Sequence, residues 1–91
     1  MELKWTSKAL SDLARLHEFL VIVNKTAAAQ VVQSLTTAPT ILLSNPRLGE
    51  GLDEFAPRDV RRMLVGRYEM RYEIKDQVIY ILRLWHTRED R

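Results

Sequence analysis

The last eleven residues, "ILRLWHTREDR", carry the side chains best suited to chemistry in this chain. An apolar run stops at His86 and is followed by Arg88 and Arg91. An imidazole has an unperturbed pKa of about 6.5 and can transfer a proton near neutral pH. A guanidinium binds phosphate or carboxylate in a bidentate manner. His86 and Arg88 are therefore candidate catalytic residues if the protein is a nuclease. The alternative for His86 is a structural or binding role.

Arginine is concentrated in the last third of the chain. Residues 58–91 contain nine basic residues, eight of them arginine, against six acidic ones, whereas residues 1–57 contain five basic and six acidic residues. Such a surface fits a polyanion or an acidic partner, although a solvated sheet with cross-strand Arg–Glu pairs has the same composition. The candidate residues for binding such a target are Arg61, Arg62, Arg71, Arg83, Arg88 and Arg91.

Composition excludes several classes of protein. The chain has no cysteine, so it has no disulfide, thiolate metal site or cysteine nucleophile. We expect neither a metal nor another cofactor. No apolar stretch approaches the ~20 residues that a membrane span needs, and the first residues lack the apolar core of a secretory signal. We therefore expect a cytoplasmic protein without membrane contact, folded as one domain over residues 1–91.

Two amphipathic helices follow a short first strand at Glu2–Trp5. Apolar residues recur at helical spacing in two stripes, which are Ala9, Leu10, Leu13, Leu16, Phe19, Leu20 and Val23, and then Ala28, Val31, Val32, Leu35, Ala38 and Leu42. Asn24-Lys25 separates the stripes, which predicts an antiparallel helical hairpin. Pro39 lies inside the second stripe and predicts a kink in a continuous helix that ends at Asn45-Pro46.

Three strands follow a long loop at residues 45–58. The pattern predicts strands over Val60–Val65, over Tyr68–Ile74 with strict alternation, and over Val78–Trp85. The fold class is α+β in the order β-α-α-β-β-β, with the helical hairpin on one face of a small, mainly antiparallel sheet.

The closing tail has an expected place in this fold. His86 shares its parity along the last strand with four residues, so its ring should be partly buried; these are Val78, Tyr80, Leu82 and Leu84. We expect His86, Arg88 and Arg91 together at one end of the sheet, near Arg61 or Arg62.

Four stretches in this order carry a resemblance to a known family. They are "LKWTSKALSDLARL", "NPRLGEGL", "RRMLVGRYEMRYEI" and "VIYILRLWHTRED". Together they resemble the RelE/ParE superfamily of toxins from type II toxin–antitoxin modules. The resemblance implies growth inhibition until a cognate antitoxin neutralises the toxin in a hetero-oligomer. The residues expected to serve the antitoxin, most of them also in the core, are Leu16, Phe19, Leu20 and Val23.

The branch within the superfamily decides the chemistry. RelE-like members are ribosome-dependent mRNA endonucleases that use basic residues on the sheet and a tyrosine after the last strand. When the strands are matched by Tyr72, the catalytic arginine of that pattern falls on Glu69, and no tyrosine follows Arg88. ParE-like members inhibit DNA gyrase and need no catalytic set. The sequence favours the ParE-like branch, with a RelE-like nuclease and a non-toxic nucleic-acid-binding module as alternatives.

Overall fold

The computed structural model describes residues 1–89 and has the predicted order of elements, with one short strand added. The elements are β1 (Glu2–Trp5), α1 (Ser7–Val23), α2 (Lys25–Thr37), β2 (Glu50–Gly51), β3 (Asp59–Val65), β4 (Tyr68–Lys75) and β5 (Val78–His86). Short 3-10 helices at Ala38–Leu43 and Asp53–Phe55 precede β2 and β3. The α+β class and the sequence of long elements are as predicted.

Single polar side chains fix the ends of the helical hairpin. The hydroxyl of Thr6 accepts a hydrogen bond from the Ala9 N–H and begins α1. Asn24 serves both helices: its own N–H donates to the Leu20 carbonyl, and its side chain accepts from the Ala27 N–H. One residue therefore ends α1 and begins α2, so the predicted antiparallel hairpin forms with almost no connecting loop.

Pro39 has a stronger effect than the predicted kink. The segment from Ala38 to Leu43 remains helical, but as a 3-10 helix, and α2 itself ends at Thr37. Proline has no N–H to donate toward Leu35, and its ring crowds the preceding turn. Because proline is tolerated in the first turn of a new helical segment, the chain changes helix type here. The prediction of one continuous α-helix was wrong, while the helical conformation was confirmed.

The sheet has the strand order β1-β5-β4-β3-β2. β1 is parallel to β5, and the remaining neighbours are antiparallel, so the sheet is mainly antiparallel as predicted. The helical hairpin covers one face and buries an apolar cluster against it. That cluster comprises Ala9, Leu16, Leu35, Leu42, Met70, Tyr72, Ile79, Ile81 and Leu84.

A β-bulge in β5 changes which side chains face the helices. Arg71 pairs with Arg83, but the next residue of β4, Tyr72, pairs with Ile81, so Leu82 is the additional residue. Ile81 and Leu84 consequently both lie in the core, although they are three positions apart and strict alternation would place them on opposite faces. For the residues of β5 that precede the bulge, the predicted assignment of side chains to the two faces of the sheet was therefore wrong.

His86 follows the corrected parity. It shares its side of β5 with Leu84, but Val78, Tyr80 and Leu82 are not part of the core cluster. The predicted partial burial of the ring is confirmed.

The tail lies level with the last residue of β3, whereas the predicted neighbours Arg61 and Arg62 lie near the middle of that strand. His86 pairs with Tyr68, and Tyr68 pairs with Val65, the last residue of β3. Arg62 lies three residues earlier, which at about 3.3 Å per residue is ~10 Å along the strand. The predicted proximity of His86 to Arg61 or Arg62 was wrong, because register rather than strand order decides which residues meet. Arg91 lies outside the described residues.

Candidate functional site

A groove of about 900 Å³ lies between the helical hairpin and the end of the sheet. Its lining is Arg15, Leu16, Phe19, Leu20, Ala27, Gln30, Val31, Ser34, Leu35, Val65, Gly66, Arg67, Tyr68, His86, Arg88 and Glu89. Leu16 and Leu35 are buried in the lining, whereas Phe19 is 71% exposed at the margin. We call this feature the hairpin groove. Its apolar lining with charged residues at one end is suited to an amphipathic protein segment.

The groove includes three of the four residues predicted to serve the antitoxin. Leu16, Phe19 and Leu20 line it, but Val23 does not. The expectation that most of the four belong to the core was wrong, because only Leu16 is buried, and Phe19 and Val23 are 71% and 79% exposed. Helical spacing identified the apolar stripe, but spacing alone does not show which members of the stripe other elements cover.

The charged end of the groove contains one arginine in ion pairs and two exposed arginines. Arg15 forms ion pairs with Asp12, at 3.5 Å, and with Glu89. Arg67, in the turn between β3 and β4, and Arg88 are exposed, and neither guanidinium forms an ion pair within residues 1–89. Arg67 was not among the predicted site residues, because only the register of β5 brings that turn beside the tail.

Backbone hydrogen bonds hold the tail beside this turn. Thr87 N–H donates to the Arg67 carbonyl at 2.9 Å, and Glu89 N–H donates to the His86 carbonyl at 2.9 Å. The ring of His86 packs edge-on against Tyr68, with centroids 5.2 Å apart, and its Nδ1 accepts the Arg88 N–H at 3.1 Å. Burial, with a smaller effect of the Glu89 charge, raises the pKa of Tyr68. His86 therefore has the contacts of a residue that shapes the end of β5.

The free edge of β5 is closed by α1. β1 pairs with β5 only as far as Ile81. Beyond that point the Asp12 carboxylate accepts the Leu84 N–H at 2.9 Å and the Arg83 Nε–H at 2.8 Å. Burial disfavours ionisation of Asp12, but the hydrogen bonds from Arg83 and Leu84 and the charges of Arg83 and Arg15 outweigh it and lower the pKa. Arg83, predicted to bind a target, is thus tied to α1.

The other predicted target-binding arginines of the sheet are also engaged. Glu69, only 2% exposed, lies 3.6 Å from Arg62 Nη1 and 3.5 Å from Arg71 Nη2. The Arg71 guanidinium lies between two rings, 5.2 Å from that of Phe55 and 4.8 Å from that of Trp85. These cation–π contacts attach the loop before β3 to the sheet. Arg62 also bonds Glu50 at 2.6 Å.

Arg61 belongs to a second attachment of the same loop. It pairs with Asp59 at 2.9 Å and donates to the Gly49 carbonyl at 2.9 Å. Nearby, the buried Tyr72 hydroxyl donates to the Pro46 carbonyl at 2.7 Å and accepts the Gly49 N–H at 2.8 Å. Burial raises the pKa of Tyr72 although the Gly49 bond opposes it. These contacts give Arg61 a structural role in the isolated chain.

Two absences apply to the part of the chain that the structure describes. Between residues 1 and 89, no cluster of three or more histidine, cysteine or acidic side chains could hold a metal ion. Over the same range, no helix combines the length and the apolar character that crossing a membrane requires.

The fold matches that of a known class of small protein. The solved structure described as "Chromosomal ParDE TA system from P. aeruginosa" is similar, with a TM-score of 0.80 and 27% sequence identity over 94% of this chain and 95% of that chain. That structure is of a toxin–antitoxin system. A search of curated protein sequences found no match.

The family match is more specific. The family described as "ParE toxin of type II toxin-antitoxin system, parDE" matches residues 3–91. The chain therefore belongs to the ParE toxin family, and it is the toxin component of a type II toxin–antitoxin system. Membership implies a cognate antitoxin as its partner. The suspected RelE/ParE relationship is confirmed.

Proposed function

We propose that this toxin inhibits DNA gyrase and is neutralised by an antitoxin that occupies the hairpin groove. Inhibition of gyrase is the activity that resemblance to ParE-like members implies, and the chain belongs to that family. In this mode of action the toxin itself breaks no covalent bond. It acts by binding its target.

The position of Glu69 is the observation that favours inhibition of gyrase over cleavage of mRNA. A ribonuclease of the RelE kind needs cations for the developing phosphorane and groups that move protons. At the position that matches the catalytic arginine, this chain has a buried carboxylate between Arg62 and Arg71. A carboxylate repels a scissile phosphate, and it occupies the two cations that would otherwise bind one.

The target surface in this proposal is smaller than the sequence suggested. Arg61, Arg62, Arg71 and Arg83 each form an ion pair with an acidic residue of the chain. Arg88 is exposed without such a pair in residues 1–89, and Arg67 beside the tail is in the same condition. An arginine that gives up no internal partner binds a target at lower cost. We therefore assign first contact with the target to the end of β5 and the neighbouring turn.

The antitoxin contact follows from the lining of the hairpin groove. An exposed ring at Phe19 beside buried Leu16 and Leu35 offers an apolar seat, and the arginines at its end favour acidic side chains. An acidic, amphipathic segment of the antitoxin has both properties. In this arrangement the antitoxin also covers Arg67 and Arg88, so neutralisation and target binding compete for one end of the molecule.

The test uses the purified toxin and purified gyrase. We expect the toxin to inhibit supercoiling, to accumulate cleaved DNA complexes, and to lose both effects when the antitoxin is added. Arg88→Glu should weaken inhibition by about 30-fold or more, the effect of losing a central interface residue. Arg47→Glu, at an exposed loop position away from the tail, is the matched control and should act like the parent chain.

A second assay follows messenger RNA in cells that express the toxin without its antitoxin. Intact mRNA with induction of the DNA-damage response supports the proposal. Rapid cleavage of mRNA with unaffected supercoiling would replace it with the nuclease alternative. Normal growth with folded toxin and neither effect would contradict both activities.

A further inference from the structure

Besides the bond from the Arg88 N–H to His86 Nδ1, three contacts hold the tail Thr87–Glu89 to the body of the protein. The Thr87 N–H bonds the Arg67 carbonyl in the β3–β4 turn, and the Glu89 N–H bonds the His86 carbonyl at the end of β5. The third contact is the ion pair between the Glu89 carboxylate and Arg15 of α1. Among these three, only the ion pair joins the tail to the helical hairpin.

Arg15 is also held by contacts with Leu84 and Asp12, in addition to its ion pair with the tail. Its Nη2 donates to the Leu84 carbonyl at 3.2 Å and lies 3.5 Å from Asp12 Oδ1. Asp12 in turn accepts the Leu84 N–H and the Arg83 side chain. One guanidinium therefore bonds the body of β5 with one nitrogen and the tail beyond β5 with the other. That arrangement gives Arg15 a defined orientation toward Glu89.

We propose that the Arg15–Glu89 ion pair is a latch that positions the toxin's tail, and with it Arg88, for contact with the target. The inference rests on the proposed function, in which Arg88 contacts the target directly. Arg88 lies between Thr87 and Glu89, and its own N–H bonds His86 Nδ1, so these anchors together place the backbone from which its exposed guanidinium extends. Arg15 and Glu89 touch no target in this proposal, so both are positioning residues.

The latch is suited to adjustment because it is weak. Both side chains are partly exposed, 46% for Arg15 and 31% for Glu89. Ion pairs with this exposure contribute little to global stability and are screened by salt. Opening the latch should therefore release the tail without unfolding the domain. Both residues also line the hairpin groove, so the latch joins the antitoxin seat to the target surface.

The first measurement is independent of toxicity. Residue-resolved amide hydrogen exchange should show the Thr87 and Glu89 amides exchanging about fivefold faster in Glu89→Arg and in Arg15→Glu than in the parent chain. The double exchange of Arg15→Glu with Glu89→Arg should restore the parent rates. Glu18→Arg and Lys8→Glu make the same charge changes at exposed positions of α1 and should leave both amides unaffected. Unchanged tail exchange in both single variants would overturn the latch.

The second measurement is toxicity beside thermal melting. Each single variant should lose most of its growth inhibition while melting close to the parent chain, and the double exchange should regain it. Glu89→Arg keeps the inference testable if Arg15→Glu fails to fold, because the Glu89 side chain, paired with Arg15, forms no hydrogen bond or ion pair with β5 within residues 1–89. Full toxicity in variants with a released tail would overturn the positioning role. A parent toxin that leaves gyrase unaffected would count against the proposed function instead, and the exchange data would still decide the latch.

Discussion

The carboxylate of Asp12 on α1 accepts a hydrogen bond from the backbone N–H of Leu84 on β5 at 2.9 Å. Leu84 lies beyond Ile81, the last residue of β5 that pairs with β1. An unpaired strand edge exposes N–H and C=O groups that can pair with another chain. Here a helix side chain occupies the N–H, and Arg15 donates to the carbonyl of the same residue. The helix therefore protects the end of β5 that carries the tail.

Loss of this contact should weaken the fold in a pH-dependent way. Asp12→Ala leaves the Leu84 N–H unpaired, and we expect the free energy of unfolding at pH 7 to fall by about 2–3 kcal/mol. The native contacts lower the pKa of Asp12, so its contribution is fully present above the unfolded-state value of 3.8 and disappears as the pH falls through the lower native value.

Urea unfolding from pH 7 to pH 2 tests both parts of this prediction. Asp12→Asn should lack the part of the acid-induced loss that comes from Asp12. Glu18→Gln, exposed on the same helix, serves as control and should follow the parent curve. Equal acid sensitivity of Asp12→Asn and the parent chain would show that Asp12 does not stabilise the native state in this way.

The loop between the helices and β3 should depend on the space at Gly49. A Cβ there would lie 2.6 Å from the Arg62 carbonyl oxygen and 2.7 Å from the Tyr72 hydroxyl. We expect Gly49→Ala to lower the melting temperature by several degrees, since backbone and a buried ring must both move. At Gly51 a Cβ would meet no atom of residues 1–89 within 4 Å, so Gly51→Ala is a matched control. Equal melting of the two variants would be inconsistent with the close approach.

Three truncations on α1 should separate stability from antitoxin binding. Phe19→Ala should leave melting nearly unchanged, because the side chain is 71% exposed, but weaken antitoxin binding by about 10- to 100-fold. Ile22→Ala, 86% exposed and outside the groove, should affect neither property. Leu16→Ala should cost about 2–5 kcal/mol of stability, since it removes a core side chain. Calorimetric titration with the antitoxin measures the binding. Equal affinities of Phe19→Ala and Ile22→Ala would exclude the hairpin groove as the antitoxin-binding site.

His86→Ala should act through structure rather than chemistry. The substitution removes the edge-on contact with Tyr68 and the acceptor for the Arg88 N–H. We expect a loss of about 1 kcal/mol in stability and a partial loss of toxicity that follows the displaced tail. Melting and growth inhibition should be measured on the same variant. A protein that melts like the parent chain yet has lost all toxicity would favour a catalytic role for His86.

Local patterns in the sequence determined much of this fold. The two helical stripes, the break at Asn24 and the alternation from Tyr68 to Ile74 each depend on neighbours within a few residues, so they predicted α1, α2 and β4. The order of elements, with four short motifs, also identified the superfamily. Pro39 was recognised as a disturbance, but whether it kinks or ends the α-helix depends on what packs against that turn.

The site depended on contacts between residues far apart in the chain. Asp12 meets Leu84 across 72 positions, and Arg15 meets Glu89 across 74. No local spacing encodes such pairs. They require β1 to pair in parallel with β5 and to end at Trp5, which leaves the later residues of β5 to α1. The arginines of the sheet looked available to a target in the sequence. Only the tertiary structure showed Glu69 buried between two of them, because strand register, which a single bulge can shift, decides which charges meet.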